Sequence, residues 1–328
     1  MSLTPSGAGA DAPTVVADLP PVHGLVAAVM VGRGAPDLLV PVGADPRDHA
    51  LRAAEALLLR RADIVVTQGR EMTPALGPML DARRDDQIVL NLTALGGLYR
   101  RPATPTEEEA SLPPEAQADT AEAEAEVEVE VGAEDGGEAA PEARSVTLGG
   151  ADRDVSTDFD PHLWLDPENA IRFVHAINTV LSVHDPEGAS VYAANATETI
   201  AAIRGAQSVA ELRLAAVAGR PFIVDDGSVG YLSQRFGLGP MVALGGVDTV
   251  EPEAASLAMA RRAAATASCV FVDASHPSPA AETLADEHGL RVVTFDALGH
   301  TVPLGPEHYP NLLIALAEDF AECLGQAD

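Results

Sequence analysis

Positive charge and aromatic rings are the scarce materials of this 328-residue chain. Lys and Arg together number 20 against 50 Asp and Glu, leaving a formal net charge of −30. Such a balance works against any broad electrostatic grip on phosphate backbones or anionic lipid, so nucleic-acid and membrane-surface binding are excluded as functions. Aromatics make up only 4% of residues, with a single Trp, while 47% are hydrophobic, so any core must be aliphatic. No run approaches the roughly 18 to 20 consecutive apolar residues of a spanning helix, so a soluble chain without membrane insertion is expected. Met1 to Pro13 has neither the charged start nor the apolar run of a secretory signal and reads as a flexible N-terminus, residues 1–13. GxSxG, P-loop, HExxH and GxGxxG patterns are absent, and neither cysteine sits in a nucleophile-like context, so no enzyme is expected.

The negative charge is concentrated. Ala103 to Leu148 holds 14 acidic residues and one Arg, which accounts for 13 of the 30 net charges. Its core, AEAEAEVEVEV at Ala121 to Val131, alternates with period two, but the surrounding Pro, Gly and Glu cannot support a core. The segment 103–148 is expected to be a disordered acidic insert, either a plain solvated loop or an arm that concentrates cations.

On both sides of it, short aliphatic runs alternate with helical patterns, which predicts an α/β chain with parallel sheets. Candidate strands are Thr14 to Asp18, Asp37 to Val42, Asp63 to Thr67 and Gln87 to Leu92, then Pro221 to Asp225, Met241 to Leu244, Cys269 to Asp273 and Arg291 to Phe295. A helix after Asp45 is expected from the stripe Leu51, Ala54, Leu58 and Ala62, with Asp45 or Asp48 as its cap. Pro186 to Gly219, rich in Ala, Glu and Leu, predicts a long rigid helix. The expected organisation is a lobe over 14–187, a linker helix over 188–218 and a second lobe over 219–328, with a cleft between Rossmann-like lobes.

Parallel sheets bind ligands beyond the carboxyl ends of their strands. Three strands of the second half end in acid: Asp225 and Asp226, Asp273, and Asp296. Carboxylates gathered at one edge predict a positive partner, although each can instead cap the next helix. In DPHLWLDP, Asp160 to Pro167, His162 approaches a helix that starts near Pro167, with Asp160 as an acceptor able to orient the ring.

DPHLWLDP resembles the signature of the metal-binding solute-binding proteins of bacterial zinc and manganese ABC transporters. VVADLPPVHGLVAAVM, GADPRDHALRAAEALLLRRADIVVTQG, YLSQRFGL and TFDALG are similar to the same family, in order, and together span nearly the whole chain. The acidic insert falls where zinc-specific members carry a charged loop. Cys269 and Cys323 resemble the disulfide of those members, and closing their 54-residue loop would add about 4 kcal/mol in an oxidising compartment. Two unrelated buried thiols are the alternative. The resemblance therefore implies a periplasmic, monomeric carrier of Zn2+, with Mn2+ as the second candidate, that delivers the ion to an ABC permease.

The family's ligands carry over unevenly. His162 and Asp296 match. Where the family has its first His, this chain has Arg47, with His49 two residues on and roughly 200° around a helix. Where the family has its third His, this chain has Asp226, and zinc also accepts carboxylate oxygen. His23 is a weaker candidate ligand, as is His49. A guanidinium cannot ligate a metal. Either Arg47 swings away while His162, Asp226 and Asp296 hold the ion, or Arg47 pairs with Asp226 or Asp296 and fills the site, leaving a degenerate member that binds another solute or a protein.

Overall fold

The structure is a computed structural model, and it describes residues 12–103, 159–246, 252, 254–275 and 278–325. The acidic insert lies outside the described residues, apart from Ala103, and so does most of the expected N-terminal tail.

Two parallel four-stranded sheets follow each other along the chain. The first contains β1 (Val15–Ala17), β2 (Asp37–Leu38), β3 (Ile64–Thr67) and β4 (Ile88–Asn91), in the order β2-β1-β3-β4. The second contains β5 (Phe222–Val224), β6 (Met241–Ala243), β7 (Cys269–Asp273) and β8 (Arg291–Phe295), in the order β6-β5-β7-β8. In β1, β3, β5 and β7 every residue is buried, which is why these central strands read as unbroken aliphatic runs. The fold class expected from the sequence is the one observed.

Helices α1 (Pro20–Val29), α2 (Ala53–Arg61), α3 (Gly77–Asp81) and α4 (Pro167–His184) flank the first sheet. After α5 (Ala189–Leu214) come α6 (Gly230–Arg235), α7 (Ala254–Ala263), α8 (Pro279–His288) and α9 (His308–Gly325). Among the described residues, no helix is long and apolar enough to cross a membrane. The 26 residues of α5 lie between the two sheets in sequence and pack on α4 and α1 from the first half and on α9 from the second. Its N-terminal end is tied down by Asp185, whose Oδ2 takes the Tyr192 hydroxyl at 2.7 Å and Arg33 at 2.6 Å. Burial works against that carboxylate, but these two donors outweigh it and hold its pKa below the ordinary range.

Two local expectations are corrected. Neither Asp45 nor Asp48 caps a helix, because α2 begins only at Ala53, with Glu55 accepting from the N–H of Arg52 at 2.7 Å. Leu51 lies before it, and residues 43–50 form an irregular loop of turns. The second strand is also shorter than Asp37 to Val42. It pairs with β1 alone, as an edge strand, and Pro41 lacks the N–H that would extend the ladder.

A shared device links strand ends in both sheets. Asp18, just after β1, accepts at Oδ2 from the N–H of Gln68 beyond β3, at 2.7 Å, and from the Thr67 hydroxyl at 2.8 Å. Asp225, just after β5, accepts at Oδ2 from the N–H of Asp273 at the end of β7, at 2.9 Å. Each carboxyl staples the two strands between which the sheet order reverses, the crevice where open α/β sheets place ligands. Burial pushes both up to about 7.

The disulfide Cys269–Cys323, with Cα atoms 6.2 Å apart, fastens α9 to β7. Phe320 reinforces that attachment by stacking on Phe271 at 4.1 Å between ring centroids.

Candidate functional site

The motif DPHLWLDP forms the junction of the two halves. Asp166 caps α4, accepting at Oδ1 from the N–H groups of Glu168 and Asn169, with Pro167 at the first helical position where no N–H is needed. Its Oδ2 pairs with Arg235 of α6 at 2.6 Å. The buried Trp164 donates Nε1–H to the carbonyl of Ala297 at 2.9 Å, and its own carbonyl accepts from the Tyr309 hydroxyl at 2.7 Å. Tyr231 of α6 donates to the carbonyl of Asp160 at 2.9 Å. These bonds join residues 69 to 145 positions apart, so the segment is anchored from both sides.

His162 is held with one ring nitrogen spoken for. Oδ1 of Asp160 accepts from its Nδ1 at 2.8 Å and from its backbone N–H at 3.0 Å, while Oδ2 accepts from Arg101 at 3.1 Å. An ionised carboxylate only accepts, so the ring proton lies on Nδ1 and the Nε2 lone pair points away from Asp160. That is the form a metal ligand requires. Nε2 instead meets Nη2 of Arg47 at 3.2 Å.

Around this pair lies a cavity of about 10 Å3 open to the centre of a water molecule, room for roughly one water. Asp45, Arg47 and Met72 line it from the first half, His162 from the junction, and Asp226, Asp273 and Ser275 from the second half. Asp226 uses Oδ1 to accept from the N–H of Ser228 at 2.8 Å, and Asp273 uses Oδ1 for the N–H of Ser275 at 2.6 Å. Burial, then the charge of Asp226, pushes Asp273 up to about 6, so the carboxylates repel one another as the strand-end argument expects.

The other sequence candidates are placed as follows. Asp296 is next to the cavity-lining Ala297 but does not line it. Its Oδ2 accepts from the N–H and hydroxyl of Thr301 at 2.9 and 3.0 Å, and its buried Oδ1 has no partner among the described residues. His49 turns onto Glu55 at 3.0 Å. His23 bonds the carbonyl of Pro36 through Nε2, and burial lowers its pKa. Asp225 serves as the strand staple. Arg47 pairs with neither Asp226 nor Asp296, and among the described residues no carboxylate lies within 4 Å of its guanidinium in an ion pair. No three His, Cys, Asp or Glu side chains among the described residues stand together as a ready metal cage. A divalent ion about 4 Å from a guanidinium is repelled by roughly 8 kcal/mol at a surface-like dielectric, so ion and Arg47 cannot share the cavity.

Sequence reasoning missed several participants. Ser275, two residues past Asp273, was accessible to the strand-end rule. Arg101 was not, being 59 residues from Asp160 across the acidic insert. Neither was His300, whose Nδ1 accepts from the N–H of Gly43 at 2.9 Å across the mouth of the cleft.

The family model of ZnuA, the periplasmic component A of the zinc-uptake complex, matches residues 15–323. The chain belongs to this family. It is 32% identical over 321 residues to the high-affinity zinc uptake system protein ZnuA of Paracoccus denitrificans, covering 97% of this chain and 94% of that one. The protein of the same name from Brucella suis is 29% identical over 321 residues, covering 95% and 92%. A crystal structure of ZnuA superposes with a TM-score of 0.69 at 18% identity, over 96% of this chain and 100% of that one, so the fold is shared along nearly the whole chain. Membership in the ZnuA family makes the chain a transport component of the substrate-binding kind.

Proposed function

We propose that the protein captures a divalent transition-metal ion, zinc before manganese, in the periplasm and hands it as a monomer to an ABC permease. The match to the ZnuA family over residues 15–323 carries this reading. His162, with its Nε2 lone pair aimed into the cavity, is the principal ligand, joined by Asp226 across the cleft. Asp296 is the third, since its buried, partnerless Oδ1 is an oxygen left for a cation. One imidazole and two carboxylates can hold zinc, and as a harder set than one richer in histidine they move the preference toward manganese. The lobes are residues 14–187 and 219–328, with 188–218 linking them. The disulfide supports an oxidising compartment, consistent with periplasmic work.

The chemistry is capture without reaction. Neutral imidazole and ionised carboxylates supply the donors, Asp160 holds the ring in the ligating tautomer, and the cleft excludes bulk water. The test is a zinc titration of metal-free protein, followed by calorimetry and by fluorescence of Trp164, whose ring lies 5.1 Å from that of His162. One equivalent should bind to the wild type, and His162→Ala should lose most of that affinity. Unchanged affinity in His162→Ala would remove the proposed site.

A further inference from the structure

Arg47 has a role of its own, which rests on the transport reading above. The only ring nitrogen of His162 that faces the cavity is Nε2, because Nδ1 is committed to Asp160. Arg47 covers it at 3.2 Å. A guanidinium has donors and no acceptor, so the contact uses the same lone pair that a metal ion would need. Arginine and metal therefore compete for one pair of electrons, besides repelling each other.

How firmly Arg47 is held decides whether it fills the site permanently. A permanent internal cation would be locked to carboxylates, yet among the described residues Arg47 has no carboxylate partner. Among those residues its buried Nε has no hydrogen bond, and its one side-chain partner is the imidazole of His162. The backbone that carries it is better fixed. Asp45 accepts from the N–H of Arg47 at 2.9 Å, His49 is pinned to Glu55 on α2, and the N–H of Gly43 reaches His300 of the second lobe. The loop stays while the long side chain is free to leave through its own torsions.

We propose that Arg47 is a displaceable stopper: it caps Nε2 of His162 in the metal-free protein, is expelled when the ion enters, and thereby sets the affinity threshold of the carrier. The carrier is then weaker than its donors allow, and selective for ions that bind imidazole strongly enough to evict a guanidinium. Cations that prefer oxygen alone gain nothing from the nitrogen that Arg47 surrenders.

The experiment compares wild type, Arg47→Ala and Arg47→Gln by zinc calorimetry. It also maps arginine modification by a dicarbonyl reagent, using peptide mass spectrometry with and without zinc. Both variants should bind zinc at least tenfold more tightly than wild type. In the wild type, zinc should raise the modification rate of Arg47 severalfold, with the other arginines as internal controls. Equal or weaker binding by both variants, or an Arg47 no more reactive with zinc bound, would overturn the stopper while leaving the transport reading intact. Binding by the variants with none by the wild type would make Arg47 a permanent filling and also overturn it. No zinc binding by any of the three would bring down the transport reading itself, and the stopper with it.

Discussion

Replacing Asp160 by Asn asks whether His162 is governed from behind. The carboxylate is wholly buried, with two bonds to His162 and one to Arg101. Asn keeps the shape and one acceptor oxygen but removes the charge and turns an NH2 toward either the imidazole or the guanidinium. Two effects of separable size follow. Removing one partner of a buried ion pair costs about 3–5 kcal/mol. The Arg101 side chain is 11% exposed and lies over the ring of Tyr231 at 5.6 Å, so the low end, about 3 kcal/mol, is expected here. Losing the carboxylate behind a metal-ligating histidine costs about 10- to 100-fold in affinity. Urea denaturation reads the first effect and calorimetric zinc titration of the folded variant reads the second. A variant that loses stability yet binds zinc within about twofold of wild type would refute the argument, leaving Asp160 a structural ion pair alone.

Two further outcomes are expected. Changing both Cys269 and Cys323 to Ala frees a loop of 54 residues and should cost about 4 kcal/mol in urea denaturation, and reducing agent should reproduce most of that in the wild type. A loss below about 1 kcal/mol would contradict the loop-closure account. Asp18→Asn should flatten the pH dependence of stability: the folded carboxyl keeps its proton up to about pH 7, whereas the unfolded one loses it near its ordinary value of 3.8. The unfolded chain therefore binds fewer protons in that window, so this group's contribution falls as pH rises, by up to about 4 kcal/mol. Parallel stability curves for wild type and Asp18→Asn between pH 4 and 7.5 would rule this out.

The strands were legible because the central ones are buried on both faces, which writes them as unbroken runs such as IVVT and CVFV. Where burial weakens, legibility does too, as the edge strand cut short before Pro41 shows. The helix after Asp45 is misplaced because the stripe Leu51, Ala54, Leu58 and Ala62 is not its buried face: Ala54 is exposed, while the helix starts at Ala53 and buries Glu55 and Leu59. At the site, strand-end chemistry and the resemblance point to His162, Asp226, Asp273 and Asp296, of which the first three line the cavity and Asp296 does not. The partner of Arg47 could not be read, since 115 residues separate it from His162 and only folding decides which lone pair a guanidinium meets. The staple at Asp225 was visible as an acid after a strand. Its twin at Asp18 is written in the same way, as the acid that closes VVAD.

The long helix α5, about 39 Å at the ordinary rise per residue, has a bearing on how a permease would tell loaded carriers from empty ones. With that beam packed against both halves, and with Arg235, Tyr231, Trp164 and Tyr309 bonding across the junction, little change of outline is expected on loading. Contour then carries almost no information. In the proposed carrier the electric field at the cleft mouth would change instead, as two positive charges arrive among carboxylates and the guanidinium of Arg47 turns outward. A permease facing this surface would sense occupancy as a change of potential, and that message weakens with added salt as a change of shape would not.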